Sequence, residues 1–147
     1  ALACGVLRWD EEPCQVLIQA SPPALCDGLG AFARRLSRTV IRSDSAQRAK
    51  MHLAAVFACN FANRMYALGE RIARDAGLDF GVLKPLVTET AAKARDARSP
   101  LDVQTGPAVR HDAATLERHL ALLADDPEMQ ALYPKISQNI WETSNRT

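Results

Sequence analysis

His52, Asn60 and Asn63 lie within the twelve-residue run HLAAVFACNFAN. An imidazole can position a polar substrate or exchange a proton with it, and amides can fix its orientation. At ~100° per residue on a helix, these three side chains share roughly a quarter of the circumference with Glu70 and Arg74. Val56 falls within this row and Leu53 borders it, so part of the row is expected to be buried, where amides and imidazoles need partners. The competing reading is that the three side chains satisfy backbone or loop groups inside a helical bundle. A second cluster is Thr105-Gly106-Pro107-Ala108-Val109-Arg110-His111-Asp112. A Gly-Pro turn leading into a helix, flanked by a hydroxyl and a guanidinium, suits a carboxylate or phosphate. The bland alternative is a connecting loop with a solvated arginine.

Other patterns carry less chemistry. Gly28-Leu29-Gly30-Ala31-Phe32-Ala33 matches G-x-G-x-x-A, but the dinucleotide fingerprint needs its glycines directly after a strand. Here Ser21 to Asp27 intervene, so Gly28 is expected inside a helix and the motif is a decoy. His111 and His119 would stand about 12 Å apart along a helix axis, too far to share one ion, and no metal site is expected. Cys4, Cys14, Cys26 and Cys59 form no C-x-x-C pair and read as reduced, mostly structural thiols of a cytoplasmic protein. Cys59 lies about 10 Å along the axis from His52, beyond direct contact.

The element that must position the first cluster is Ser43 to Gly77, read as one unbroken helix of about 50 Å with Ser43 and Gly77 as caps. Leu53, Phe57, Phe61, Met65, Leu68 and Ile72 form a bulky face expected to be core. Ala55, Ala58, Ala62, Gly69, Ala73 and Ala76 form a narrow seam on which another helix can approach closely. Upstream, Ala1 to Glu12 reads as irregular or a frayed strand. Cys14 to Ala20 reads as a short strand. A helix follows from Ser21 and Pro22 to about Leu36, then a strand at Thr39 to Arg42. This strand-helix-strand unit belongs to a parallel sheet. Two strands do not make a stable sheet, and the chain opens without Met, so it is expected to be the C-terminal part of something longer. Downstream, Asp79 is expected to cap a helix with Pro85 in its first turn or at a kink, and Asp112 and Asp126 to cap two more. Arg98 to His111 reads as a loop, Pro134 as a bend, and Glu142 to Thr147 as frayed.

The 147 residues are 48% hydrophobic and 24% charged with a formal net charge of +1. That balance suits a helix-rich globular chain and gives no electrostatic footprint for nucleic acid or an anionic membrane. No apolar run approaches the roughly 18 residues a membrane span needs.

HLAAVFACNFANRMYALGERIARDAGLDF, then PLVTETAAKA, then LDVQTGPAVRHDAATLERHLALL, resemble the C-terminal helical domain of Rossmann-like predicted oxidoreductases whose C-terminal half is known as a domain of unknown function. These are similar in architecture to pyrroline-5-carboxylate reductase and the helical domain of 6-phosphogluconate dehydrogenase. The resemblance covers His52 to Leu123. It implies a mainly α fold, a helical bundle around one long central helix, preceded by a short βαβ remnant of a Rossmann-type domain. Residues 1–43 would end that α/β domain and 44–147 would form the dimerisation and substrate domain. It implies NADP or NAD as cofactor, bound mainly by sequence outside this chain, a homodimer, and a small, anionic substrate. His52 and Asn60 are the candidate catalytic residues, and Asn63, Thr105, Gly106 and Arg110 the candidate substrate-binding residues. The competing class is a non-catalytic helical module for homodimerisation or ligand binding.

Overall fold

The computed structural model describes residues 15–18 and 23–145. The expectations for Ala1 to Glu12, for Ser21 and Pro22 as a helix start, and for Cys4 and Cys14 lie outside these residues. The chain divides into two compact units, residues 1–78 and 79–147, and the fold class is mainly α, as expected.

In the first unit, β1 (Gln15–Ile18), α1 (Pro23–Leu36) and β2 (Thr39–Arg42) form the expected strand-helix-strand. The strands pair in parallel, with Val16 opposite Val40 and Ile18 opposite Arg42. The helix lies against them on Ile18, Gly30 and Ala33, all buried. Gly30 eases that approach: a Cβ there would sit 3.2 Å from the Ile18 Cδ1, and the isoleucine would have to give by a few tenths of an ångström. Ser37 closes the turn into β2: its hydroxyl accepts from the Thr39 amide at 3.1 Å and donates to the Thr39 carbonyl at 3.0 Å. An exposed ion pair joins Arg42 to Asp27.

The long helix then runs from Ser45 to Asp75. Its cap is Asp44, one residue after the expected Ser43. A carboxylate with a glutamine three residues on completes a reciprocal capping box: the Gln47 amide donates to Asp44 at 2.7 Å, and the Asp44 amide donates to Gln47 Oε1 at 3.0 Å. At the other end Gly77, at φ +73°, makes the left-handed turn expected of it. Leu78 N–H reaches the Ala73 carbonyl and Gly77 N–H the Arg74 carbonyl, both at 2.9 Å, which is the Schellman closure.

Two expectations for this helix are corrected. It is continuous but not uniform: α2 (Ser45–Ala55) passes into a π-helical segment, Val56–Phe61, before α3 (Ala62–Asp75). A π turn holds one extra residue and so offsets everything beyond it by about one residue's rotation, roughly 100°. That offset narrows the bulky row of Leu53, Phe57, Phe61, Met65 and Ile72 to one straight stripe. It also moves Asn63, Glu70 and Arg74 away from the line of His52 and Asn60, so the five no longer share one quarter of the wheel. The second correction is burial. The bulky stripe is not core: Leu53 is 58% exposed, Phe57 63% and Phe61 48%, and of the six residues expected on this face only Leu68 is buried. Among the described residues of the first unit, no other element packs extensively on α2 or α3. Phe57 and Phe61 pack edge to face on each other, with ring centroids 4.8 Å apart.

The second unit opens with Asp79 capping a 3-10 turn, Phe80–Leu83, that leads into α4 (Lys84–Asp96) with Pro85 in its first turn. A further 3-10 turn, Pro100–Val103, is capped by Ser99 within the stretch read as loop. Asp112 caps α5 (Ala113–Leu122) and Asp126 caps α6 (Pro127–Ser144), both as expected. Helix α6 runs through Pro134 without ending and continues to Ser144. Its last turn, expected to fray, is held by Thr143 Oγ1 donating to the Asn139 carbonyl at 2.7 Å and by Asn145 Nδ2 donating to the Trp141 carbonyl at 2.8 Å. Met129 and Ala108 are the buried apolar residues of this unit. Among the described residues no helix is long and apolar enough to cross a membrane.

Candidate functional site

The sequence-derived residues fall into two groups, one in each unit. His52 ends one α-helical turn before the π segment, Asn60 lies inside it, and Asn63 lies just beyond. All three are exposed, so the burial expected for this row is not found. The bare stripe beside it goes with this: among the described residues of the first unit, no other element packs extensively on the helix on which they stand. Their side chains make no hydrogen bond among the described residues, leaving two amides and an imidazole free toward solvent. Because π turns are uncommon and concentrate at functional positions, Asn60 is the residue of this row that the backbone singles out.

Cys59, beside Asn60, is an exposed free thiol and not the packed structural cysteine expected from its apolar neighbours. Cys26 on α1 is a half-buried free thiol. Gly28 and Gly30 both lie inside α1, as expected for a decoy. Inside a helix these two glycines are not placed to cradle a pyrophosphate.

In the second unit, Thr105, Gly106 and Arg110 share one loop. Gly106 has φ +116°, a conformation that glycine adopts without strain and residues with a side chain do not. The loop closes on itself: the Asp112 amide donates to the Pro107 carbonyl at 3.0 Å, and the His111 amide to the Ala108 carbonyl at 3.2 Å. Thr105 and Arg110 are exposed, and Arg110 makes no hydrogen bond among the described residues, its partner being the field of Asp112. The helix terminus that follows is already occupied. Asp112 accepts from Thr115 Oγ1 at 2.8 Å and from the Thr115 amide at 3.1 Å. Those bonds, with the Arg110 and Arg118 charges behind them, hold its carboxyl below the ordinary carboxylate range. An anion at this loop would therefore meet Arg110 and Thr105 and not the first amides of α5.

Sequence reasoning missed two features. Ser43 stands directly after β2, and its hydroxyl is buried without a partner among the described residues. In open parallel sheets, ligands collect beyond the carboxyl ends of the strands, and a serine immediately after a predicted strand was the available signal. The other is the pairing of His111 with Trp141, whose rings lie 4.4 Å apart at 35°. Thirty residues of sequence separate them, and no local pattern announces the contact. His119 is likewise engaged, its Nδ1 2.6 Å from the Tyr133 hydroxyl.

The family model that matches the chain is a domain of unknown function, DUF2520, aligned over residues 14–140. No curated protein matches the chain. Among solved structures, the chain is similar to a crystal structure from Bacteroides fragilis described as a "putative NADP oxidoreductase", at 46% identity and a TM-score of 0.80. The match covers 86% of this chain and 48% of that one, so the chain spans about half the length of its relative. A mainly α chain carrying the polar row on a long helix and the Thr105–Asp112 loop, matched by the family model over nearly all of its described residues, belongs to the DUF2520 family.

Proposed function

We propose that this chain is the substrate-binding and dimerisation part of an NADP-dependent oxidoreductase acting on a small, anionic substrate. The observation that carries the reading is the 46% identity, over 86% of the chain, to the structure described as a "putative NADP oxidoreductase". In this reading residues 1–43 end a nucleotide-binding domain and 44–147 serve substrate and dimer. The architecture would be that of pyrroline-5-carboxylate reductase and 6-phosphogluconate dehydrogenase, and the protein would work in the cytoplasm. The cofactor supplies hydride chemistry when bound. The described residues do not offer it a phosphate cradle, since Gly28 and Gly30 are helical, so its binding is assigned mainly to sequence outside these 147 residues.

What this chain's residues do is orient and neutralise. In the first unit Asn60 donates or accepts through its amide and His52 positions a polar group or exchanges a proton, with Asn63 a further amide on the next turn; in the second unit Arg110 with Thr105 holds an anionic group at the turn that Gly106 makes possible. The exposed stripe of Leu53, Phe57, Phe61, Met65 and Ile72 supports a homodimer, because large apolar patches on a surface mark interaction sites. The same stripe favours the second reading, a dimerisation module without catalysis.

Titrating the full-length protein with NADPH and NADH separates the two. The oxidoreductase reading expects a rise in melting temperature with NADPH and a fall in kcat/KM of roughly tenfold or more in Asn60→Ala and Arg110→Ala, the size of a lost charge-assisted or oriented hydrogen bond. No shift with either nucleotide would sink the reading, and unchanged kinetics would remove those two residues from it.

A further inference from the structure

The second unit holds a cavity of about 140 Å³ whose lining includes loop residue His111, Leu116 and Leu120 of α5, and Pro134, Ser137 and Trp141 of α6. Leu116 and Leu120 are one turn apart, as are Pro134 and Ser137, and Ser137 and Trp141, so each helix gives the cavity one continuous face. We propose that this cavity is a small-molecule site for a single aromatic ring bearing one hydroxyl, the phenol class.

Size, walls and polarity point the same way. A cavity of roughly 150 Å³ lined by aliphatic side chains is known to admit a benzene ring, so the volume here is enough for one ring. Leucines and a proline make the apolar walls, and the stacked His111 and Trp141 rings add π surfaces suited to offset or edge contacts. His111 is the only non-glycine residue at positive φ among the described residues, at +51°. A residue in that conformation must be held there by its surroundings, and such residues gather at ligand sites. Four side chains with polar ends line the α6 wall; two are committed, and Trp141 brings only an indole N–H donor. Tyr133 meets His119 at 2.6 Å, and Gln138 donates to Glu142 at 2.7 Å. Ser137 has no hydrogen-bond partner among the described residues, and so supplies the polar contact that selects a hydroxyl-bearing ring. This inference does not rest on the oxidoreductase reading.

The test uses the whole chain labelled with 5-fluorotryptophan, its Trp141 resonance assigned with Trp141→Phe, and titrated with phenol and with toluene. A saturable shift of the Trp141 resonance with both probes is expected. Ser137→Ala should weaken phenol about two- to tenfold, the range for one neutral hydrogen bond, and leave toluene unchanged. Ser137→Leu, at a half-exposed position where the fold can be checked by circular dichroism, should abolish both by filling the cavity. Absence of a saturable shift in the wild type, or wild-type binding by a folded Ser137→Leu variant, would overturn the proposal. Equal weakening of phenol and toluene by Ser137→Ala would overturn the hydroxyl selectivity.

Discussion

At the scale of single residues, the side chains that sequence spacing selected are free and exposed, and those that do local work are their neighbours. Asp112 illustrates the difference. Thr115 donates to it twice, from hydroxyl and amide, and this holds its carboxyl below the ordinary carboxylate range. A carboxyl whose folded value is depressed stabilises the fold above its unfolded value and loses that contribution as pH falls through the folded one. Asp112→Ala should therefore melt below the wild type near about pH 6, with the gap closing once pH drops beneath 3.8. Thermal melts across that range check it, and a gap that persists unchanged in acid would mean the cap does not work through its charge. Asp112, Asp79, Asp126, Gly77 and Pro85 were all legible in the sequence because caps and turns act over three or four residues.

At the scale of elements, the order of strands and helices was also legible, since periods of two and 3.6 are local patterns. The π turn was not. Val56–Phe61 contains neither proline nor glycine, and nothing in its composition distinguishes one extra residue per turn from a regular helix. Wheel arithmetic carried across it placed Asn63 with Asn60 and broadened the bulky row. The far end of the long helix is better determined. Gly77→Ala keeps the sequence helical but forces a Cβ into the left-handed region, at φ +73°. It should cost about 1 kcal/mol, read as an earlier thermal transition by circular dichroism at 222 nm. A neutral effect would mean that the Schellman closure is not maintained in solution.

At the scale of the whole molecule, the sequence distinguished apolar from polar faces but not which apolar face is covered. Leu53, Phe57 and Phe61 have the spacing of core residues, and that spacing is the same whether the covering surface comes from the same unit or from a second copy. With the dimer proposed above, the melting temperature of the full-length protein should rise with concentration. Phe57→Asp should convert it to monomer by light scattering, with dimer affinity reduced about thirtyfold or more, the scale of a central interface anchor. A monomeric wild type would refute the dimer, and a dimeric Phe57→Asp would place its interface elsewhere. Loss or gain of one residue anywhere from 56 to 61 swings the later half of the helix by about 100° against the earlier half. Among relatives, then, the length of this six-residue stretch would change which face is apolar without any substitution in the stripe. An alignment that closes a single gap there would pair side chains that point in different directions.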